Sequence, residues 1–162
     1  MGILDLRRLF NFGQDAVLGL DVGSSTIKLV RLRKDTDGYT VTAAAIADIE
    51  ASNGDKEQKQ ISTARAIRNC VQMAGVQTKS VVCSVCGPEV AVRDFKFPSL
   101  SQQELESAIM LEAGQVCPFN TADGVVDYQI VSDGGEDVNG FIAAATNTLI
   151  KSKVQLVKSA SL

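Results

Sequence analysis

Apolar and polar positions along the first third of the chain predict strands joined by tight turns. The run Ala16-Val17-Leu18-Gly19-Leu20 leads into the turn-forming residues Asp21-Val22-Gly23-Ser24-Ser25. Thr26 to Arg33 then places Ile27 and Leu29 on one face and Lys28, Val30 and Leu32 on the other. Apolar side chains on both faces suit a buried central strand. Asp35-Thr36-Asp37-Gly38 is turn chemistry, and Tyr39 to Ile49 reads as a third strand, which makes an antiparallel meander. After the polar loop Ala51 to Asp55 the period becomes helical. Lys56 to Ala74 puts Ile61, Ala64, Ile67, Val71 and Ala74 on one face, and Gly75 is a natural stop.

Ser80 to Cys86 is an apolar run that reads as a buried strand ended by Gly87-Pro88. Glu89 to Phe97 reads as another strand, with Val90 and Val92 on one face and Ala91, Arg93 and Phe95 on the other. Alternation does not say which face packs inward. Ser101-Gln102-Gln103-Glu104 is a capping box that opens a helix running to Val116, with Leu105, Ala108, Ile109, Ala113 and Val116 inward. Val125 to Val131 and Gly140 to Ala145 read as strands on either side of the polar loop Ser132 to Glu136. Asn147 to Ser159 reads as a last helix. The fold class is α/β, and there is no internal repeat.

Composition narrows the chemistry. The 162 residues are 45% hydrophobic, enough for one ordinary domain or two small subdomains. A formal charge of −3 gives no electrostatic reason to bind nucleic acid or an anionic membrane directly. Histidine is absent, which removes the commonest metal ligand and general base. The four cysteines, with no secretory signal ahead of them, point to a reducing compartment. Cys83 and Cys86 form a C-x-x-C pair, but side chains three apart on a strand face opposite ways, and no second pair completes a zinc set. Small buried thiols are the expectation. No run approaches the ~20 apolar residues of a membrane span. Met1 to Phe10 reads as a short amphipathic turn or a frayed helix.

Asp21-Val22-Gly23-Ser24-Ser25-Thr26-Ile27-Lys28 is the segment with functional chemistry. Backbone amides of such a turn can converge on phosphate oxygens, and glycine permits close approach. The carboxylate of Asp21 can hold magnesium through water, and Lys28 can neutralise phosphate charge. The same residues also read as a plain hairpin with a solvated acid and lysine.

In its setting between apolar strands, this segment resembles the first phosphate motif of the actin, heat-shock chaperone and hexokinase superfamily. Val17 to Val30 is similar to the opening of the PilM family of type IV pilus assembly proteins. Leu100 to Ile109, then Glu112-Ala113-Gly114-Gln115-Val116-Cys117-Pro118-Phe119, resemble that family's helix ending in Pro-Phe. Val126-Asp127-Tyr128-Gln129-Ile130-Val131 resembles its Asp-Tyr-Gln strand. Ser161 departs from the glycine usual after the last helix.

The resemblance implies an incomplete actin-like ATPase fold. After an N-terminal tail (1–15), residues 16–87 would be the first part of subdomain 1A. Residues 88–146 would be the inserted strand-helix-strand-strand, SHS2-like subdomain 1C, also known from the FtsA family. Residues 147–162 would be a helix returning to 1A. Asp21, Gly23, Ser24, Ser25, Thr26 and Lys28 would form half of a site for ATP and magnesium, binding weakly or not at all without the second half. The implied role is a scaffold rather than an enzyme. It would dock the N-terminal cytoplasmic peptide of PilN between 1A and 1C, with Val90, Val92, Arg93 and Phe95 as candidate wall residues. Other inner-membrane platform components and assembly ATPases would be further partners. The place is the cytoplasm, at the inner face of the inner membrane, with membrane association indirect. The alternatives are an actin-like ATPase fragment and an FtsA-like division protein.

Overall fold

A computed structural model describes residues 18–51 and 55–162. The expected N-terminal turn, the first residues of the opening strand and the centre of the 51–55 loop lie outside the described residues. The described chain divides into two compact units, residues 18–84 with 152–162, and residues 85–151.

The first unit is a four-stranded sheet in the order β3-β2-β1-β4. Strands β1 (Leu18–Val22), β2 (Thr26–Asp35) and β3 (Gly38–Asp48) form the expected antiparallel meander. Strand β4 (Val81–Cys83) pairs parallel to β1. Helix α1 (Lys56–Ala74) starts at Asp55, whose carboxylate accepts from the Gln58 amide at 3.1 Å. It stops at Gly75, which adopts φ 63 and donates its amide to the Gln72 carbonyl. Leu18, Leu20, Ile27, Leu29 and Ala47 of the sheet meet Ala66, Ile67 and Cys70 of α1 in one core, joined by Val76 and Ala160.

Three expectations for this unit need correction. The buried strand Ser80–Cys86 shrinks to Val81–Cys83, because the chain must leave the sheet after Ser84 to enter the second unit. The expected face of α1 keeps Ala64, Ile67, Val71 and Ala74 against the core but loses Ile61 in its second turn. Thr63, Ala64, Ala66, Ile67 and Cys70 are buried while Ile61 is exposed, since small side chains let the helix lie close to the sheet. Thr63 is satisfied there by donating to the Lys59 carbonyl. Finally, β2 is covered on one face only. Leu32 and Ile46 of the opposite face stay exposed, because the core cluster draws on the Ile27–Leu29 side alone.

The second unit is a three-stranded antiparallel sheet in the order β5-β7-β6, from β5 (Val90–Pro98), β6 (Gly124–Asp133) and β7 (Asp137–Thr146). Strands β6 and β7 are longer than expected and close around a short Gly134-Gly135-Glu136 turn, with Gly135 at φ 84. Helix α2 (Gln102–Val116) packs Leu105, Ile109 and Ala113 on Phe95, Val126, Val138, Ile142 and Ala144. Phe95 and Phe97 stack at 5.1 Å. Gly140, opposite Phe95, makes room for its ring. A Cβ there would run into the Gln129 carbonyl and lie 2.7 Å from that ring. A helix α3 (Asn147–Ser159) follows and passes from one unit to the other at residue 152.

The units differ in charge. Residues 85–151 hold ten acidic and three basic side chains, a formal −7. Residues 18–84 with 152–162 hold seven acidic and eleven basic, a formal +4.

Candidate functional site

The hairpin between β1 and β2 carries the expected phosphate-motif residues. Asp21 and Lys28 face each other across the two strands, and their charged groups lie 3.4 Å apart. Both side chains are more than half exposed, so the pair contributes little to stability. The Gly23 amide donates to the Thr26 carbonyl at 3.0 Å, which closes the turn. A Cβ on Gly23 would come within 2.9 Å of that same carbonyl, so the turn needs glycine here. Ser24 and Ser25 sit exposed at the tip, and their amides donate to no backbone acceptor among the described residues. The Ser25 carbonyl accepts from the Ile49 amide, which ties the tip to the end of β3.

This arrangement offers an anion two amides and one ammonium group. It offers a metal one carboxylate, already paired with Lys28. No cluster of three or more acidic, cysteine or histidine groups exists among the described residues. Magnesium at Asp21 would therefore need most of its ligands from water and phosphate, as magnesium commonly takes them. The donor set fits the edge of a phosphate site and is short of a complete one.

Strand β5 separates the candidate docking residues by face. Phe95 is 5% exposed and belongs to the core under α2. Arg93 lies on the same face as Phe95 but is exposed, and its guanidinium donates to the Val92 carbonyl at 2.8 Å. Val90 is half-buried, and Val92, 55% exposed, faces away from the core. The face that alternation left open is thus settled: Ala91 and Phe95 pack inward, and Val90 and Val92 look outward.

Sequence reasoning missed the neighbours of Val92. The register places Val92 beside Ala143 and Asp94 beside Phe141, and on the far side of β7 Asp127 is opposite Ala143. Phe141 sits on the central strand yet is 49% exposed. The signal was available in the alternation of Val138, Gly140, Ile142 and Ala144, which points Phe141 the other way.

The cysteines correct the expectation of buried thiols. Cys70 is buried, Cys83 and Cys117 are half-buried and Cys86 is exposed, beyond the end of β4. Burial pushes the Cys70 thiol up from its ordinary value. It does the same for Cys83, partly opposed by Lys153, and for Cys117, partly opposed by Arg93.

Comparison with known proteins gives the family. A family model described as type IV pilus assembly protein PilM matches residues 19–162. A solved PilM-PilN type IV pilus biogenesis complex is similar at TM-score 0.75 and 23% identity, over 90% of this chain and 45% of that one. The cytoplasmic domain of EpsL, an inner-membrane component of the type II secretion system of Vibrio cholerae, is similar at TM-score 0.56 and 13% identity. That match covers 91% of this chain and 54% of that one. The chain spans about half the length of these solved relatives. At these identities the likeness is one of fold.

Proposed function

The chain belongs to the PilM family of type IV pilus assembly proteins, and on that premise we propose that it is a docking component of pilus assembly rather than an enzyme. Its partner in this reading is the cytoplasmic N-terminal tail of a PilN-type membrane protein. The observation that carries it is the family match over residues 19–162, supported by likeness of fold to the PilM-PilN complex. The site lies at β5, where an extended tail could bury apolar side chains against the outward Val90 and Val92 while its backbone pairs along the strand. Arg93, the remaining candidate of this strand, is exposed on its other side, where its guanidinium donates to the Val92 carbonyl. The place of action is the cytoplasmic face of the inner membrane, reached through partners.

Two features argue against catalysis as the main role. Asp21 is the hairpin's single carboxylate, so one group would have to serve both as magnesium ligand and as base to activate water or a hydroxyl. The hairpin also supplies only one side of a phosphate site. In this reading any ATP-magnesium affinity of the chain is residual.

The test is a titration of the tail peptide into wild type, Val92→Ser and Arg93→Glu. Weakened binding in Val92→Ser, with unchanged circular dichroism, is expected. Unchanged binding in both would remove β5 from the site. No binding to wild type would remove the docking role from this chain.

A further inference from the structure

The outward face of the β5-β7-β6 sheet has both an apolar surface and a charge that select one kind of occupant. Phe141 and Val92, both about half exposed, lie diagonally on neighbouring strands, with Ala143 between Val92 and Asp127. An exposed aromatic on a central strand, next to further apolar side chains, marks an interaction surface. Asp94 stands opposite Phe141, is exposed, and makes no side-chain hydrogen bond or ion pair among the described residues. Lys96, the one lysine on β5, is neutralised by Asp137 at 2.7 Å. The unit as a whole is at −7.

We propose that this face docks a basic, partly apolar segment of a partner protein, one that places a lysine or arginine over the Phe141 ring beside Asp94 and an apolar side chain on Val92. The proposal rests on the docking reading of β5 and adds the chemistry of the partner. A cation on an aromatic face with a carboxylate alongside gains from both groups. Nucleic acid and anionic lipid are disfavoured by the same charge. A second copy of this acidic unit, face to face, would meet like charge.

The experiment uses the full chain with isotope-labelled amides and two eight-residue probe peptides, one alternating leucine with lysine, the other leucine with glutamate. The lysine peptide is expected to move the amide signals of Val92, Asp94 and Phe141, and the glutamate peptide to leave them in place. Asp94→Lys should weaken the lysine peptide by about tenfold, in line with reversal of a steering charge. Raising the salt should weaken it further. Phe141→Ser should weaken it with the fold intact, as read from the remaining signals. Equal binding of both peptides, shifts confined to other residues, or signals on this face that move with protein concentration alone would overturn the proposal. The PilN tail is titrated in parallel. Tail binding that survives both variants would leave the docking reading standing and this face excluded from it. Failure of tail and probe together would remove both.

Discussion

Cys86 and Cys70 sit at opposite ends of thiol accessibility in this protein. Cys86 is exposed past the end of β4, whereas the Cys70 thiol is wholly buried and approaches the Ile27 carbonyl at 3.8 Å. The thiolate is the reactive form, so burial slows a cysteine both sterically and by raising its pKa. Native labelling should therefore modify Cys86 first, Cys83 and Cys117 slowly, and Cys70 only on unfolding. Peptide mass spectrometry over time reads the order, and early labelling of Cys70 would contradict it. The C-x-x-C spacing was visible in the sequence. The difference between its two members was not, because it depends on where the chain leaves the sheet.

Ser161 is a second residue with a definite cost. It is the one non-glycine at positive φ among the described residues, at 71°, just after α3, and its amide donates to the Lys158 carbonyl. A side chain in the left-handed region costs roughly 1–2 kcal/mol, a strain glycine escapes. Ser161→Gly should raise stability by about 1 kcal/mol, measured as a higher urea midpoint with unchanged slope. The departure from glycine was legible in the sequence, and the backbone angle shows its consequence.

Among the elements, α2 was the most legible. Its start and end follow from the capping box and Pro118, and the structure keeps Leu105, Ile109 and Ala113 of the inward set in the core, with Ala108 and Val116 half-buried. The Ser101 amide and hydroxyl both donate to the Glu104 carboxylate, at 3.0 and 2.7 Å. The hydroxyl bond first, then the amide bond, holds the Glu104 carboxyl below its usual value. A lowered carboxyl pKa in the folded state means the contribution is fully present above the unfolded glutamate value, about 4.3, and is lost as pH falls through the folded value. Part of the acid sensitivity of this unit should thus vanish in Glu104→Gln. Urea midpoints of wild type and variant at pH 6 and pH 3 test this, and an equal drop in both would contradict it.

The elements that misled were those whose neighbours lie far away in sequence. Helix α1 was placed correctly and keeps Ala64, Ile67, Val71 and Ala74 of its expected face on the core, but that face widens to Thr63, Ala66 and Cys70 while Ile61, in the helix's second turn, stays exposed. Strand β4 was overextended, because an apolar run does not reveal how many of its residues find a partner strand.

At the scale of the whole molecule, the charge is divided, −7 on residues 85–151 and +4 on the other unit, behind a net of −3. The net figure conceals an acidic unit suited to basic partners. The nucleotide question also belongs to this scale. The sequence placed Asp21 and Lys28 on the two strands of a hairpin, and the structure pairs them at 3.4 Å, but a tight nucleotide site encloses its ligand from several sides. ATP-magnesium should bind this chain weakly or not at all. Micromolar affinity abolished by Asp21→Ala would contradict that expectation.

The most direct test of the docking role is calorimetry of the full chain with the cytoplasmic N-terminal peptide of a PilN-type protein, run against ATP-magnesium under the same conditions. The expected result is saturable one-to-one binding of the peptide with no resolvable heat from the nucleotide. Tight nucleotide binding with no response to the peptide would contradict the docking account.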